Sequence, residues 1–153
     1  MIQRIQTIWL FLAATALIGL FFLPVFTNGN DSHLWSIYTT GFYVTKHGVS
    51  KTLYQYTWPI IANIAAVAIT TANIFLYKIR AIQVQLSFVA IGVVMVLIFP
   101  TYIFGRYIPY GIKAAHFGLG TYLPFLAIIF LLLAIFGINK DERLIRSAER
   151  LRK

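Results

Sequence analysis

The sequence predicts an all-α membrane protein: an antiparallel bundle of four transmembrane helices, with a short β-hairpin in the first outer loop and a C-terminal cytoplasmic amphipathic helix. Hydrophobic residues make up 59% of the 153 residues and charged residues only 11%, whereas about a quarter of residues are charged in soluble domains. Four apolar runs of about 20 residues are each long enough for a helix to cross the ~30 Å hydrocarbon layer. Basic residues flank these runs. The whole chain, 1–153, is therefore expected to form one membrane domain.

The spans are expected at residues 8–26, 58–77, 82–104 and 119–138, with a tail at 139–153. A cleaved signal peptide is the alternative interpretation of the first run, but the apolar region of a signal peptide has only about 7 to 15 residues. This run is longer and ends in Leu23 to Phe26, without a small-residue cleavage site. An uncleaved first span is the prediction.

The first outer loop, residues 27–57, is long and aromatic, which favours a folded segment. Residues 34–44 are rich in β-branched and aromatic side chains, and residues 53–58 alternate weakly between apolar and polar. Lys46, His47 and Gly48 between them are typical of a turn. These patterns predict one short antiparallel hairpin on the outer face of the bundle.

The distribution of charge predicts the orientation of the helices. Of the 13 Lys and Arg residues, four lie in the predicted outer loops and the other nine at the opposite ends of the spans. Cytoplasmic segments carry such an excess of basic residues, so both termini are expected in the cytoplasm. The net charge of +9 then reflects orientation and attraction to anionic membrane lipids. No nucleic-acid partner is expected.

A polar stripe marks the second span. Asn63, Thr70 and Asn73 recur at helical spacing and fall on one face. Such residues line a cavity in some proteins, but amide and small side chains more often hydrogen-bond between packed helices. Both interpretations remain open from the sequence, and the second is favoured because no ionisable residue lies in the central part of any span.

The sequence offers little chemistry for catalysis. Asp31 is the only acid outside the tail, and the chain has no cysteine. His33, His47 and His116 are widely separated, unlike the closely spaced ligands of zinc sites. We therefore expect a protein that is not an enzyme, with no catalytic residues, no metal and no cofactor.

Two segments outside the spans carry candidate contact residues. The tail has the pattern of a basic amphipathic helix, with Asp141 and Glu142 suited to its first turn. Such a helix lies on lipid headgroups or binds a partner. The candidates in the tail are Arg143, Arg146, Arg150 and Arg152. The candidates for partner contact in the outer loop are Trp35, Tyr38, Phe42 and Tyr43.

The two ends of the chain resemble a known family. The opening MIQRIQT before a leucine-rich span, and the closing NKDERLIRSAERLR after the last span, are similar to small bacterial four-helix membrane proteins grouped as a domain of unknown function (four-two-nine-three). The resemblance implies four spans in a bacterial inner membrane. It implies no catalytic residues.

The expected function is that of a non-enzymatic accessory or scaffold subunit of a larger membrane complex. Small residues are abundant in the first two spans, including Ala13, Ala16, Ala62 and Ala68, and small residues allow helices to approach closely. The alternatives are a small-molecule carrier and a protein that handles lipids or quinones. A lateral slot between helices would favour the lipid alternative.

The orientation is tested with single cysteines, since the chain has none of its own. In intact cells, an impermeant thiol reagent should label Ser50→Cys in the outer loop and leave Ser147→Cys in the tail unlabelled. The opposite labelling pattern would reverse the predicted topology. Labelling of Ser147→Cys after the membrane is permeabilised is the control for reactivity.

Overall fold

The computed structural model describes residues 3–30, 33–46, 49–77, 79–105 and 116–151. The helices are α1 (Gln3–Gly19), α2 (Thr57–Phe75), α3 (Arg80–Gly105) and α4 (Leu123–Leu151), and a short 3-10 helix at Leu119–Thr121 precedes α4. The strands are β1 (Phe26–Asn30), β2 (His33–Tyr38), β3 (Gly41–Lys46), β4 (Val49–Gln55) and β5 (His116–Phe117).

The fold is mixed, and the predicted all-α class with only a short hairpin is wrong. The five strands form one antiparallel sheet in the order β4-β3-β2-β1-β5. Strands β1 to β4 lie between α1 and α2 in sequence, whereas β5 lies between α3 and α4. The two predicted outer loops are therefore joined in a single sheet. The predicted second strand, 53–58, is displaced, because β4 begins at Val49 and Trp58 already belongs to α2.

The segment predicted as the first strand of the hairpin is two strands, because the chain reverses at Thr39 and Thr40. Thr39 is only 1% exposed, and its hydroxyl donates to the carbonyl oxygen of Leu20 at 2.9 Å. A Cβ atom on Gly41 would come within 2.5 Å of the carbonyl oxygen of Tyr54, so glycine permits β4 to approach closely here. A pair of β-branched threonines has high strand propensity. The tertiary contacts place it in a turn instead.

Strand β1 arises where the sequence predicted the end of a helix followed by turns. Helix α1 ends at Gly19, and Phe26 begins a strand that pairs with β2 on one side and β5 on the other. The backbone N–H of Val25 donates to the carbonyl oxygen of Ile37 at 2.7 Å. Asn28 and Gly29 favour turns locally, but they are extended because they pair with Trp35 and Leu34 of β2, while β5 pairs only with Phe26 and Thr27.

The four helices pack side by side, and α1 and α3 each contact both α2 and α4. Between α2 and α3 the chain turns tightly, and the N–H of Ile79 donates to the carbonyl oxygen of Leu76 at 3.0 Å. The C-terminal amphipathic helix predicted as a separate element is instead the continuation of α4, which runs without interruption to Leu151. Within this continuous helix, the buried carboxylate of Asp141 accepts a hydrogen bond from the side chain of Gln6 in α1.

Among the described residues, three helical segments are long and apolar enough to cross a membrane. These segments are Thr57–Phe75, Arg80–Phe99 and Leu119–Ile145. The first helix contributes a shorter apolar segment, Ile5–Gly19. The contact between Gln6 and Asp141 places the start of α1 and the end of α4 together. We call this the terminal end of the helices, and the opposite end, where the strands are attached, the sheet end.

Small residues fill the space between the helices. At the sheet end, Ala62, Ala66 and Ala127 pack with Leu17 and Leu97. Towards the terminal end, a second cluster is formed by Leu10, Ala13, Ala90, Leu131 and Ala134. Alanine at these positions allows close approach of the helix backbones. Many of the alanines in the first two spans therefore pack against other helices of the same chain.

A third cluster lies on one face of the sheet. Val25, Phe26, Ile37 and Phe42 are buried there, and Tyr56 packs against them. Burial, and secondarily the neighbouring Tyr54, raise the pKa of the Tyr56 phenol above its usual value. This cluster anchors the sheet beside the start of α2.

The close approach of the chain before α4 to the chain after α1 yields a stability prediction. A Cβ atom on Gly120 would lie 2.6 Å from the carbonyl oxygen of Leu23 and 2.7 Å from that of Pro24. Gly120→Ala should therefore lower the free energy of unfolding by about 1–3 kcal/mol through overpacking. The measurement is denaturant unfolding in nanodiscs, followed by near-ultraviolet circular dichroism.

The matched control is Gly92→Ala in α3, where an added Cβ atom meets nothing within 4 Å. Replacing this helical glycine should raise the free energy of unfolding by about 0.5–1 kcal/mol. Equal effects of the two substitutions would contradict the close approach at Gly120.

Candidate functional site

The polar residues of the second span lie in the interior of the protein and contact neighbouring elements. Asn63 is fully buried, and its side-chain amide donates to the carbonyl oxygen of Leu17 in α1 at 3.2 Å. Thr70 is also fully buried, and its hydroxyl donates to the carbonyl oxygen of Ala66, one turn earlier in the same helix, at 2.8 Å. Asn63 therefore joins two helices, whereas Thr70 satisfies its own hydroxyl locally.

Asn73 belongs to a network that closes the turn between α2 and α3. Its side-chain amide donates to the carbonyl oxygen of Gln83 at 3.1 Å and to the hydroxyl oxygen of Ser87 at 2.8 Å. The side chain of Gln83 donates back to the carbonyl oxygen of Asn73 at 3.0 Å. Reciprocal bonds of this kind hold two helix ends together. Neither Asn73 nor the other two stripe residues lines the cavities described below.

The basic candidates belong to the C-terminal part of the chain. Arg143 is exposed on α4, and so are the neighbouring apolar residues Leu144 and Ile145. Arg152 lies outside the described residues, as do the side chains of Arg146 and Arg150. An exposed surface with both basic and apolar residues at a helix end is typical of contact with lipid headgroups.

The four aromatic candidates of the outer loop are divided between the two faces of the sheet. Trp35 stacks on Phe42 with ring centroids 5.6 Å apart, on the face that carries the buried apolar cluster. Tyr38 and Tyr43 meet edge to face at 5.3 Å, and alternation along β2 and β3 places them on the other face. The structure thus brings the aromatics together in two pairs, of which only the second lines a cavity.

A cavity of about 300 Å³ lies over that second face, and we call it the hydroxyl cavity. One lining side chain has no hydroxyl group, that of Phe21 in the segment after α1. All its other lining side chains carry a hydroxyl group: Ser36, Tyr38, Thr40, Tyr43, Thr45 and Ser50. The hydroxyls come from the turn at Thr40 and from strands β2, β3 and β4, so a rigid sheet positions them. Among the described residues, no charged side chain belongs to this lining.

Hydrogen bonds already orient several of these hydroxyls. The phenol of Tyr43 donates to the hydroxyl oxygen of Thr40 at 3.2 Å, and the hydroxyl oxygens of Thr45 and Ser50 are bonded at 2.9 Å. Ser36 is buried at the floor of the cavity, and Ser50 is exposed at its rim. The cavity is therefore closed to solvent at Ser36 and open to solvent at Ser50.

This cavity is not predicted from the sequence, although the sequence contains a pattern that indicates a polar sheet face. Along residues 35–38 and 42–45 the chain alternates between apolar residues and residues that carry a hydroxyl. Such alternation with a period of two predicts one apolar and one polar sheet face. Thr40 and Phe21 could not be added in this way, because their positions depend on the turn and on the end of α1.

A second cavity, which we call the apolar slot, lies where the sheet meets α3 and α4. Its volume is about 250 Å³. It is lined by Val25, Phe26, Leu97, Ile98, Phe117, Thr121, Pro124 and Phe125. Thr121 contributes the only hydroxyl, and it is already used, since it donates to the carbonyl oxygen of Val25. The slot can therefore hold apolar groups and offers them almost no polar contact.

The apolar slot borders two membrane-length segments at the sheet end of the helices. Leu97 and Ile98 belong to the membrane-length segment Arg80–Phe99, and Thr121 to Phe125 belong to Leu119–Ile145. Phe117 and Phe125 are 57% and 52% exposed at its mouth. The slot consequently opens sideways between two helices, towards the surroundings of α3 and α4.

Comparison with protein families identifies the chain. The sequence profile described as "Domain of unknown function (DUF4293)" matches residues 2–151. The chain belongs to this family. The resemblance predicted from the two ends of the sequence is thus confirmed. No curated protein sequence matches the chain.

The matched residues of this DUF4293 protein include every residue of both cavities. They also include the residues that join the first and last helices. The sheet is therefore a part of the family domain, in addition to its apolar helices. Among the described residues, no three of the His, Asp and Glu side chains come together as a metal site would require.

Proposed function

We propose that this DUF4293 protein acts by binding and not by catalysis, and that the apolar slot holds the hydrocarbon chain of a membrane lipid. The observation that carries the proposal is the slot itself, a laterally open apolar cavity between two membrane-length helices. Its lining matches a hydrocarbon and supplies no spare polar group for a soluble ligand. This corresponds to the lateral slot that would favour the lipid alternative.

The mouth of the apolar slot adjoins exposed apolar side chains, which supports a lipid chain as its ligand. The exposed rings of Phe117 and Phe125 flank the mouth, and the exposed side chains of Val96 and Phe99 continue the same apolar surface along α3. A chain from the bilayer can therefore enter without crossing a polar barrier. The slot is slightly smaller than the ~300–1,000 Å³ of typical small-molecule pockets, so it would take part of a chain and leave the headgroup outside.

Shape decides which chain is preferred. Lipid tails are as apolar as leucine, so moving a chain from the bilayer into the slot gains little hydrophobic free energy. Selectivity then depends on van der Waals contact with the walls. A straight acyl chain and a methyl-branched isoprenoid chain fill a 250 Å³ space differently. Both are hydrocarbon chains, and the experiment below distinguishes them.

We also propose a bacterial inner-membrane location, with both termini in the cytoplasm and the sheet outside. The excess of basic residues at the terminal end supports this orientation. The contact between Gln6 and Asp141 requires the beginning of α1 and the end of α4 to be on the same side. The hydroxyl cavity would then face the periplasm.

The slot is tested by filling it. In nanodiscs that contain a phosphatidylcholine with a photoreactive group near the end of its acyl chain, we expect cross-links to peptides containing Phe117 and Phe125. Ile98→Trp should reduce this cross-linking at least fivefold, because the indole occupies the space that Ile98 partly lines. Mass spectrometry of the labelled peptides provides the measurement.

The control is Val89→Trp, which adds the same ring to the exposed surface of α3 away from the slot and should leave the cross-linking unchanged. Excess polyprenyl quinone distinguishes the two chain types: it abolishes cross-linking if the slot prefers an isoprenoid and has no effect if it prefers an acyl chain. Equal cross-linking in wild type and Ile98→Trp would overturn the lipid proposal.

A second candidate function, the accessory subunit, is favoured by the outer face of α2. Ile61, Ile64, Ala68, Ala72 and Phe75 are all exposed along one stripe of this helix. Ala68 and Ala72 are four residues apart and allow close approach of another helix. A second membrane protein that packs against this face would make the chain a subunit of a larger complex.

The accessory role predicts a stoichiometric membrane partner in mild detergent. Ala68→Phe together with Ala72→Phe should abolish the copurification of that partner, because the larger side chains hold a helix away. Val89→Phe, on the exposed surface of α3, should preserve it. Purification of the wild-type chain without any partner would exclude this role and leave the lipid proposal unaffected.

A further inference from the structure

We infer that the hydroxyl cavity binds a neutral ring compound with several hydroxyl groups, such as a monosaccharide or a cyclic polyol. The inference concerns a different cavity from the apolar slot and does not depend on lipid binding. Six hydroxyl-bearing side chains, two of them tyrosines, and the ring of Phe21 form its lining, in a volume of about 300 Å³. The chemistry of that lining determines the class of ligand.

Charge excludes the common ionic ligands. Phosphates and carboxylates are bound by Arg, Lys or clustered backbone N–H groups, and metal cations by carboxylates or imidazoles. In the part of the chain that the structure describes, none of these side chains belongs to the lining of the hydroxyl cavity. A charged ligand would lose its hydration there without a compensating charge. The preferred ligand is therefore neutral.

Hydroxyl groups favour a ligand that is itself rich in hydroxyl groups. Each hydroxyl offers one donor and two acceptor positions, so a wall of them can pair with a ligand that both donates and accepts. Tyr43 already gives its only proton to Thr40, which leaves its oxygen as an acceptor. Thr45 and Ser50 share a single hydrogen bond, so one of their protons remains available. The wall thus presents donors and acceptors together.

The ring of Phe21 and the size of the cavity select the shape of the ligand. An aromatic ring packs well against the flat C–H face of a sugar, while the edges of the sugar carry its hydroxyl groups. A volume of about 300 Å³ is at the lower limit of small-molecule sites, which suits a single ring. The edge-to-face contact of Tyr38 with Tyr43 fixes the opposite wall, so the site is largely formed before binding.

The test uses the full chain in nanodiscs, because sugar-based detergents would compete for the site. Saturation-transfer difference NMR is recorded with a panel of D-glucose, D-galactose, D-mannose and myo-inositol, with glycerol as an open-chain comparison. At least one ring compound should bind saturably and more tightly than glycerol. Glucose 6-phosphate should bind more weakly than glucose, because the lining has no cation.

Tyr43→Phe should weaken binding of the preferred ring compound about tenfold, since it removes one acceptor and keeps the ring. Ser50→Ala at the rim is a second variant that preserves the core, and it should weaken binding at least threefold. Tyr54→Phe is the matched control: Tyr54 is exposed on β4 outside the cavity, and its loss of a hydroxyl should change nothing.

Three results would overturn the inference. The first is that no compound of the panel binds the wild-type chain, in which case the cavity holds only water. The second is that Tyr43→Phe and Ser50→Ala, each folded by near-ultraviolet circular dichroism, bind as tightly as Tyr54→Phe. Stronger binding of glucose 6-phosphate than of glucose would also contradict it.

Discussion

The pairing of the chain after α1 with the chain before α4 is the constraint on which the rest of the structure depends. The N–H of Gly118 donates to the carbonyl oxygen of Val25 at 2.9 Å, and the N–H of Gly120 donates to that of Pro24 at 3.0 Å. These bonds make β5 the neighbour of β1 and place α4 beside α1. Towards the terminal end, the buried hydrogen bond between Gln6 and Asp141 also connects α1 to α4. The first helix is thereby held to α4 from Gly19 back to Gln6, and α4 continues beyond this contact from Asp141 to Leu151.

The pairing of the chain after α1 with the chain before α4 also determines where the two cavities form. Phe21 borders the hydroxyl cavity, whereas Val25 and Phe26, a few residues later, line the apolar slot. One short segment between α1 and β1 therefore serves two sites of opposite chemistry. Because successive side chains of a strand point to opposite faces, the sheet separates a wall of hydroxyls from a cluster of buried rings. The slot lies where that apolar cluster reaches α3 and α4.

The side-chain N–H groups of Asn63 and Asn73 donate hydrogen bonds inside the protein, whereas their side-chain carbonyl oxygens are buried without a partner. The amides of Asn63 and Asn73 bond to α1 and to the start of α3, and they join helices that small residues already bring close together. In an apolar environment an unpaired amide is costly, so these contacts stabilise one arrangement of the helices over others. The binding surfaces lie elsewhere: in the sheet, at its junction with α3 and α4, and on the outer face of α2.

The sequence by itself determined the apolar character, the approximate positions of the helices and membership of the family, because these follow from composition, run length and terminal motifs. It also contained the alternation of Trp35 to Tyr38 that marks a two-faced sheet. Only the tertiary structure decided that Thr39 and Thr40 form a turn, that β1 exists, and that Phe117 joins the same sheet. The physical reason is that each depends on partners distant in sequence: Leu20 for the turn, and residues 116–117 for the outer edge of β1. Local propensity favours a strand at Thr39 and a turn at Asn28. The hydrogen bond from Thr39 to Leu20 opposes the first preference, and the pairing of Asn28 with Trp35 of β2 opposes the second.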